Sequence, residues 1–117
     1  MSLITAVLTG LALISTTLVK ASPKAFLNYS ELWICDNHEI TIRSYQDNLS
    51  YTSRKKHSSN IDLRIENGEV HIGDFVVYMF KNNDYTYQLF SYGGSYLNVY
   101  KGDKHLQEFS CDILAKW

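Results

Sequence analysis

In run after run from Leu32 to the carboxyl end, apolar and polar side chains alternate residue by residue, and turn-forming residues interrupt these runs about every ten positions. A period of two sends successive side chains to opposite faces of an extended strand, whereas a helix needs apolar recurrence at three and four residues. The chain is therefore expected to be all-β. Trp33 and Cys35 alternate ahead of the Asp36-Asn37 turn, and Glu39-Ile40-Thr41-Ile42-Arg43 sets both isoleucines on one face. Leu49-Ser50-Tyr51-Thr52-Ser53 and Ile61-Asp62-Leu63-Arg64-Ile65 repeat the habit. Asn67-Gly68 predicts a two-residue hairpin, because both central residues of that turn need positive φ. Phe75 to Phe80 is apolar on both faces, which predicts a central strand covered from two sides. Asn82-Asn83-Asp84, Gly93-Gly94 and Gly102-Asp103 then separate the runs Tyr85 to Phe90, Tyr96 to Tyr100 and Leu106 to Cys111. The expected architecture is a small antiparallel meander of about eight strands closing into a barrel or a sandwich, since both demand the same alternation.

Ahead of these runs lies an apolar leader, Leu3 to Val19, with small residues near its end and a Val19-Lys20-Ala21 triplet that suits cleavage after Ala21. Residues 1–21 read as a signal peptide, 22–31 as an amino-terminal extension and 32–117 as a single β-domain. A membrane is expected as a partner only if the leader stays uncleaved, when its length would serve as an anchor. The chain from Ser22 onward makes one domain of modest size, which buries only about two-thirds of the surface of its unfolded form. The only two cysteines, Cys35 and Cys111, fall in that domain, and one disulfide is the default for such a pair in an oxidising compartment. It would tie the first strand to the last, and closing a loop of that length stabilises a fold by roughly 4 kcal/mol in the chain-entropy picture.

Composition narrows function by exclusion. The chain carries 11 basic and 12 acidic residues, and losing Lys20 with the leader makes the balance slightly more acidic. Nucleic-acid binding needs a clearly basic face, so nucleic acid is not an expected partner. His38, His57, His71 and His105 lack the close ligand spacing of zinc sites, and neither a metal nor another cofactor is expected. No nucleophile elbow accompanies the serines, and the carboxylates are scattered, with Asp62, Glu66 and Asp74 the acidic residues that folding could gather. The expectation is a protein with no catalytic residues. The densest basic cluster, Arg54-Lys55-Lys56-His57, reads as a solvated loop. Asn28-Tyr29-Ser30 and Asn48-Leu49-Ser50 match the glycosylation acceptor.

Tyrosine is the residue type most open to a functional reading. Tyr78, Tyr85, Tyr87, Tyr92, Tyr96 and Tyr100 fall on three consecutive runs and the turns between them. A meander would set several side by side, as a binding face or as rings covering the core, because a tyrosine offers rigid contact area with a hydroxyl at its tip. Tyr85, Tyr87 and Tyr96 are the candidates for holding a glycan. An edge strand near Tyr51 or Leu106 would offer a surface for dimerisation. A carrier with a large interior cavity would need more chain than remains after the leader.

Trp33-Ile34-Cys35 in the first strand, a chain of hairpins, and Phe109-Ser110-Cys111 at the close follow a plan that resembles the bacterial, membrane-bound lysozyme inhibitors of the C-type-lysozyme-inhibiting family. Tyr100-Lys101-Gly102-Asp103 is similar to that family's aromatic-x-Lys-Gly-Asp segment, and Ser91-Tyr92-Gly93-Gly94-Ser95-Tyr96 to its serine-glycine loop. The resemblance implies an eight-stranded periplasmic β-barrel whose partner is a lysozyme. It further implies that Lys101 approaches the catalytic carboxylates of that enzyme, with the loop serine hydrogen-bonding beside it. The resulting expectation is a secreted or periplasmic, non-enzymatic binding protein: a lysozyme inhibitor, or alternatively a carbohydrate- or surface-binding module. Its protein or glycan partner would meet Ser91, Ser95, Tyr96 and Lys101, together with Tyr85 and Tyr87.

Overall fold

The computed structural model describes residues 28–117, so the leader and the first part of the extension lie outside the described residues. The strands are β1 (Tyr29–Cys35), β2 (His38–Tyr45), β3 (Asn48–Lys55), β4 (Leu63–Ile65), β5 (Glu69–Ile72), β6 (Val76–Asn82), β7 (Tyr85–Ser91), β8 (Ser95–Lys101) and β9 (Lys104–Lys116). All pair antiparallel in one sheet ordered β4-β3-β2-β1-β9-β8-β7-β6-β5. Two meanders, β1 to β4 and β5 to β9, are therefore joined where β1 meets β9. One continuous sheet makes this a curled half-barrel rather than a two-sheet sandwich. The curl brings together strands far apart in the sheet order. The ring of Tyr51 on β3 lies 5.3 Å from that of Phe80 on β6, and Glu31 on β1 is hydrogen-bonded to Tyr78 on β6.

Alternation decides what fills the inside. Trp33 and Cys35, Ile40 and Ile42, Leu49 and Tyr51, and Tyr78 and Phe80 are inward pairs two residues apart, joined by Leu89 and Leu97. A slip of one position would turn such a set outward, so burial pins the register. Each large aliphatic or phenyl side chain so buried stabilises the fold by about 1.5–3 kcal/mol. Cys35 and Cys111 face each other across the seam between the meanders and are joined by a disulfide, their Cα atoms 4.2 Å apart.

Five sequence expectations change in the folded chain. Asn67-Gly68 is not a hairpin: Asn67 has a φ of 58°, Gly68 does not take a positive φ, and β4 and β5 do not pair with each other. By strand count β4 and β5 run in the same direction, so they form one broken strand that leaves β3 for β6. Its break is held by the Gly68 N–H donating to the Leu49 carbonyl at 2.8 Å. Glycine is needed there for close approach, because a Cβ would run into the ring of the fully buried Phe80. The run from Val76 to Phe80 becomes part of β6, next to the sheet's β5 edge, and its outer face is only partly covered, with Val77 and Met79 half-buried.

The last strand extends to Lys116 rather than ending at Cys111. It lies between β8 and β1, its first half pairing with β8 and its second with β1. Leu106 is consequently on a central strand, and Tyr51 is 2% exposed inside β3. The sheet's edges are β4 and β5 instead. β1 begins at Tyr29, so Tyr29, Ser30 and Glu31, read as extension, belong to the sheet.

Candidate functional site

The curled sheet has a cleft at each of its two ends. The first, of about 300 Å³, is lined by Glu31, Trp33 and Tyr78 on its floor and by Phe75, Tyr92 and Lys116 toward solvent. Glu31 shares the inward face of β1 with Tyr29 and Trp33, which buries a carboxylate inside the half-barrel. A buried charge requires hydrogen-bonding partners, and this one has them. Oε1 accepts from the Trp33 indole Nε1 at 2.9 Å, and Oε2 accepts from the Tyr78 hydroxyl at 3.0 Å. Tyr78 has one hydroxyl proton and gives it to Glu31, so the Tyr29 hydroxyl, 3.2 Å away, donates to Tyr78. The Lys116 Nζ stands 4.0 Å from Oε2 on a side chain 65% exposed.

This network keeps its phenols protonated. Burial raises Tyr78 far above the ordinary tyrosine value, reinforced by the negative charge of Glu31 and by the donation of its proton to that carboxylate. Tyr29 is raised chiefly by burial, with a further push from Glu31. The site therefore holds one fixed carboxylate framed by neutral donors.

Rings continue from this cleft onto the outer surface. Tyr92 lies 5.0 Å from Phe75, Phe75 lies 6.1 Å from Phe90, and Phe90 lies 5.5 Å from Tyr96. Phe75 is 39% and Tyr92 67% exposed. The Gly93-Gly94 turn holds Tyr92 at the hairpin tip, its N–H donating to the Gly94 carbonyl at 2.7 Å. Gly94 has a φ of 149°, which L side chains rarely adopt, and lies against the Tyr96 ring.

The second cleft, of about 280 Å³, has His38, Tyr51, Ser53, Asp62, Tyr87 and Phe109 among its walls. Tyr51 and Tyr87 stack with centroids 5.4 Å apart. Burial raises Tyr51 well above its ordinary value, partly offset by the neighbouring Ser53 hydroxyl. Tyr87 is raised by burial first and by Tyr85 second.

The predicted site residues are divided between these ends. Ser91 and Ser95 are a register pair with hydroxyls 3.0 Å apart, beside the first cleft. Lys101 pairs with Tyr85 at the other end of the same hairpin, its Nζ 5.7 Å from the Tyr85 ring centre. The length of β8 between Ser95 and Lys101 is roughly 20 Å at the usual rise per residue. The serines and the lysine are thus not side by side.

The tyrosines are divided by strand parity as well. Tyr85 and Tyr87 share the inner face of β7 while Tyr96 lies on the outer face of β8, and no register pair on β6, β7 or β8 joins two tyrosines. Asp62 and Asp74 belong to different clefts, and Glu66 accepts a hydrogen bond from the Asn48 amide, so the three acids are not gathered. The Asn48 amide oxygen also accepts from the Asn67 N–H at 2.9 Å, which engages one glycosylation acceptor in holding the β4–β5 break. Arg54, in the basic cluster, pairs with Glu39 at 3.1 Å on the surface.

Sequence reasoning missed Glu31, Phe75 and Lys116. The available signal was phase: Glu31 precedes Trp33 and Cys35 by steps of two, which marks an acid on an apolar face. No family model, curated protein or solved structure matches this chain.

Proposed function

We propose that the chain is an exported, non-catalytic binding domain that meets its partner with its carboxyl-terminal hairpins, at the end that holds Glu31. The disulfide supports an oxidising compartment. The observation that carries this reading is the continuous run of rings Tyr92, Phe75, Phe90 and Tyr96 beside an open cleft. Exposed Val76 and Ile72 stand nearby in the same hairpin region. A contiguous apolar patch rimmed by polar groups marks a contact surface, and clustered aromatic anchors carry most of the energy of such contacts.

The test pairs two binding measurements with one double variant. The first is inhibition of a C-type lysozyme, with an unrelated muramidase as control; the second is co-sedimentation with insoluble peptidoglycan. Phe75→Ser combined with Tyr92→Ser is expected to weaken whichever interaction is found by about 30-fold or more, as for two anchors of about 1 kcal/mol each. A folded double variant that binds undiminished overturns the reading.

Lysozyme inhibition through Lys101 is the second reading. It is favoured by an exposed ammonium at the end of β8, over the Tyr85 ring, with no carboxylate in ion-pair reach among the described residues. A cation so displayed complements an acidic catalytic cleft. Ser91 and Ser95, at the far end of the strand, have no part beside it. Lys101→Ala should then abolish inhibition while the Phe75 and Tyr92 double variant inhibits normally; the reverse pattern sinks this reading.

A further inference from the structure

We infer that the cleft over Glu31 is a recognition pocket for the ammonium or guanidinium group of a basic side chain on a protein partner. This rests on the reading of that end as the binding surface. A carboxylate offers about four acceptor directions, and here two are occupied by neutral donors, the Trp33 indole and the Tyr78 hydroxyl. Neutral donors orient the charge without cancelling it. Among the described residues the nearest cation is the Lys116 Nζ, whose 4.0 Å separation exceeds a hydrogen bond and whose side chain is largely solvated. Lys116 marks where a cation is drawn without filling the position. Asp74 lines the same cleft, so Glu31, Asp74 and Lys116 together leave one uncompensated negative charge.

The walls suit the same ligand. Trp33 and Tyr78 form the floor and Phe75 and Tyr92 the rim, and the negative faces of aromatic rings attract cations. The volume of about 300 Å³ sits at the small end of ligand pockets, which favours one side chain over a larger molecule. The protonated Tyr78 adds no competing negative charge to the pocket.

The proposal is tested with the oxidised full chain and three probes: N-acetyl-lysine methylamide, N-acetyl-arginine methylamide and the neutral N-acetyl-norleucine methylamide. Indole N–H resonances give the readout, Trp33 donating directly to Glu31 and the exposed Trp117 serving as internal control. The two cationic probes are expected to shift Trp33 saturably with millimolar dissociation constants, the neutral probe at least about tenfold more weakly. Glu31→Gln keeps an acceptor for Trp33 and should weaken cationic binding by about tenfold or more. Lys116→Met removes the internal competitor and should tighten it a few-fold, which supplies a second test if Glu31→Gln fails to fold. Equal binding of neutral and cationic probes, or no response of Trp33 to either cation, overturns the proposal. Equal binding would leave the aromatic end as a contact surface, whereas that surface itself fails only if the Phe75 and Tyr92 double variant binds its partner normally.

Discussion

The two clefts have nearly equal volumes, about 300 and 280 Å³, and tyrosines of suppressed ionisation stand at both, Tyr78 with its partner Tyr29 at the first and Tyr51 with Tyr87 at the second, yet they differ in chemistry. At the first end Tyr29 and Tyr78 are linked to the buried Glu31 carboxylate, and rings spread from the rim onto the outer sheet face. At the second, Tyr51 and Tyr87 stack on one another and burial is the main influence on both. Cavity size therefore says little about which end binds. A fixed charge with framed acceptors and an aromatic rim separates the two.

Removing the staple should give the largest effect and strike both ends alike. Cys35→Ser with Cys111→Ser is expected to cost about 4 kcal/mol in urea unfolding, because the bridge joins the two meanders and closes most of the described chain. A loss confined to one cleft, seen as selective amide exchange there, would mean the halves fold separately. Next comes the core between the clefts: Gly68→Ala should destabilise by about 1–3 kcal/mol, since the buried Phe80 ring must shift to admit a methyl group. Thermal or urea denaturation measures it, and a neutral result would mean the β4–β5 break moves freely.

The comparison sharpens with one hydroxyl from each end. Tyr78→Phe leaves the Glu31 carboxylate a donor short and should cost about 1–3 kcal/mol, whereas Tyr87→Phe keeps its ring on Tyr51 and should stay within about 0.5 kcal/mol. Equal losses would erase the proposed difference between the clefts.

The same residues set the alkaline limb of stability. Their folded pKa values are raised, so above the unfolded tyrosine value of about 10 the unfolded chain releases protons that the native state retains, and stability falls as pH rises. Below that pH this contribution is fully present. Urea midpoints measured from about pH 8 to about pH 11 should show the decline, and Tyr78→Phe should flatten it more than Tyr87→Phe does. The smallest effect is on the outer surface, where Arg54→Ala should cost only about 0.2–1 kcal/mol and leave both clefts intact, since its partner Glu39 is solvent-exposed in part.

Much of the fold is legible in particular residues. Ile40 and Ile42 face inward as their spacing requires, and left-handed backbone occurs at Asp36, Asn83, Gly93 and Gly102, in turns that the sequence marks. Asn67-Gly68 misled because the pair is usually a turn for reasons of φ, whereas here Gly68 is selected by the closeness of Phe80, a residue of another strand. Asp112 to Lys116 escaped notice as strand because the exposed Leu114 breaks the apolar-inward rule. The candidate site was less legible. Ser91, Ser95 and Tyr92 were found near the first cleft, but Glu31 lay outside the alternating runs as read and Lys101 stands at the far end of β8.

By itself, the sequence determined the strand content, the main turns and the single cysteine pair available for a bridge, because these follow from two-residue periodicity, local backbone preference and composition. Only the tertiary structure decided which side chains share an end of the half-barrel. That depends on β9, which pairs with β8 along its first half and with β1 along its second, and on the curl that carries β6 over to β1. Such stagger and closure are sums over distant pairings. No local run of residues contains them, so Glu31 meets Tyr78 across the interior while Ser95 and Lys101, six positions apart, face different ends.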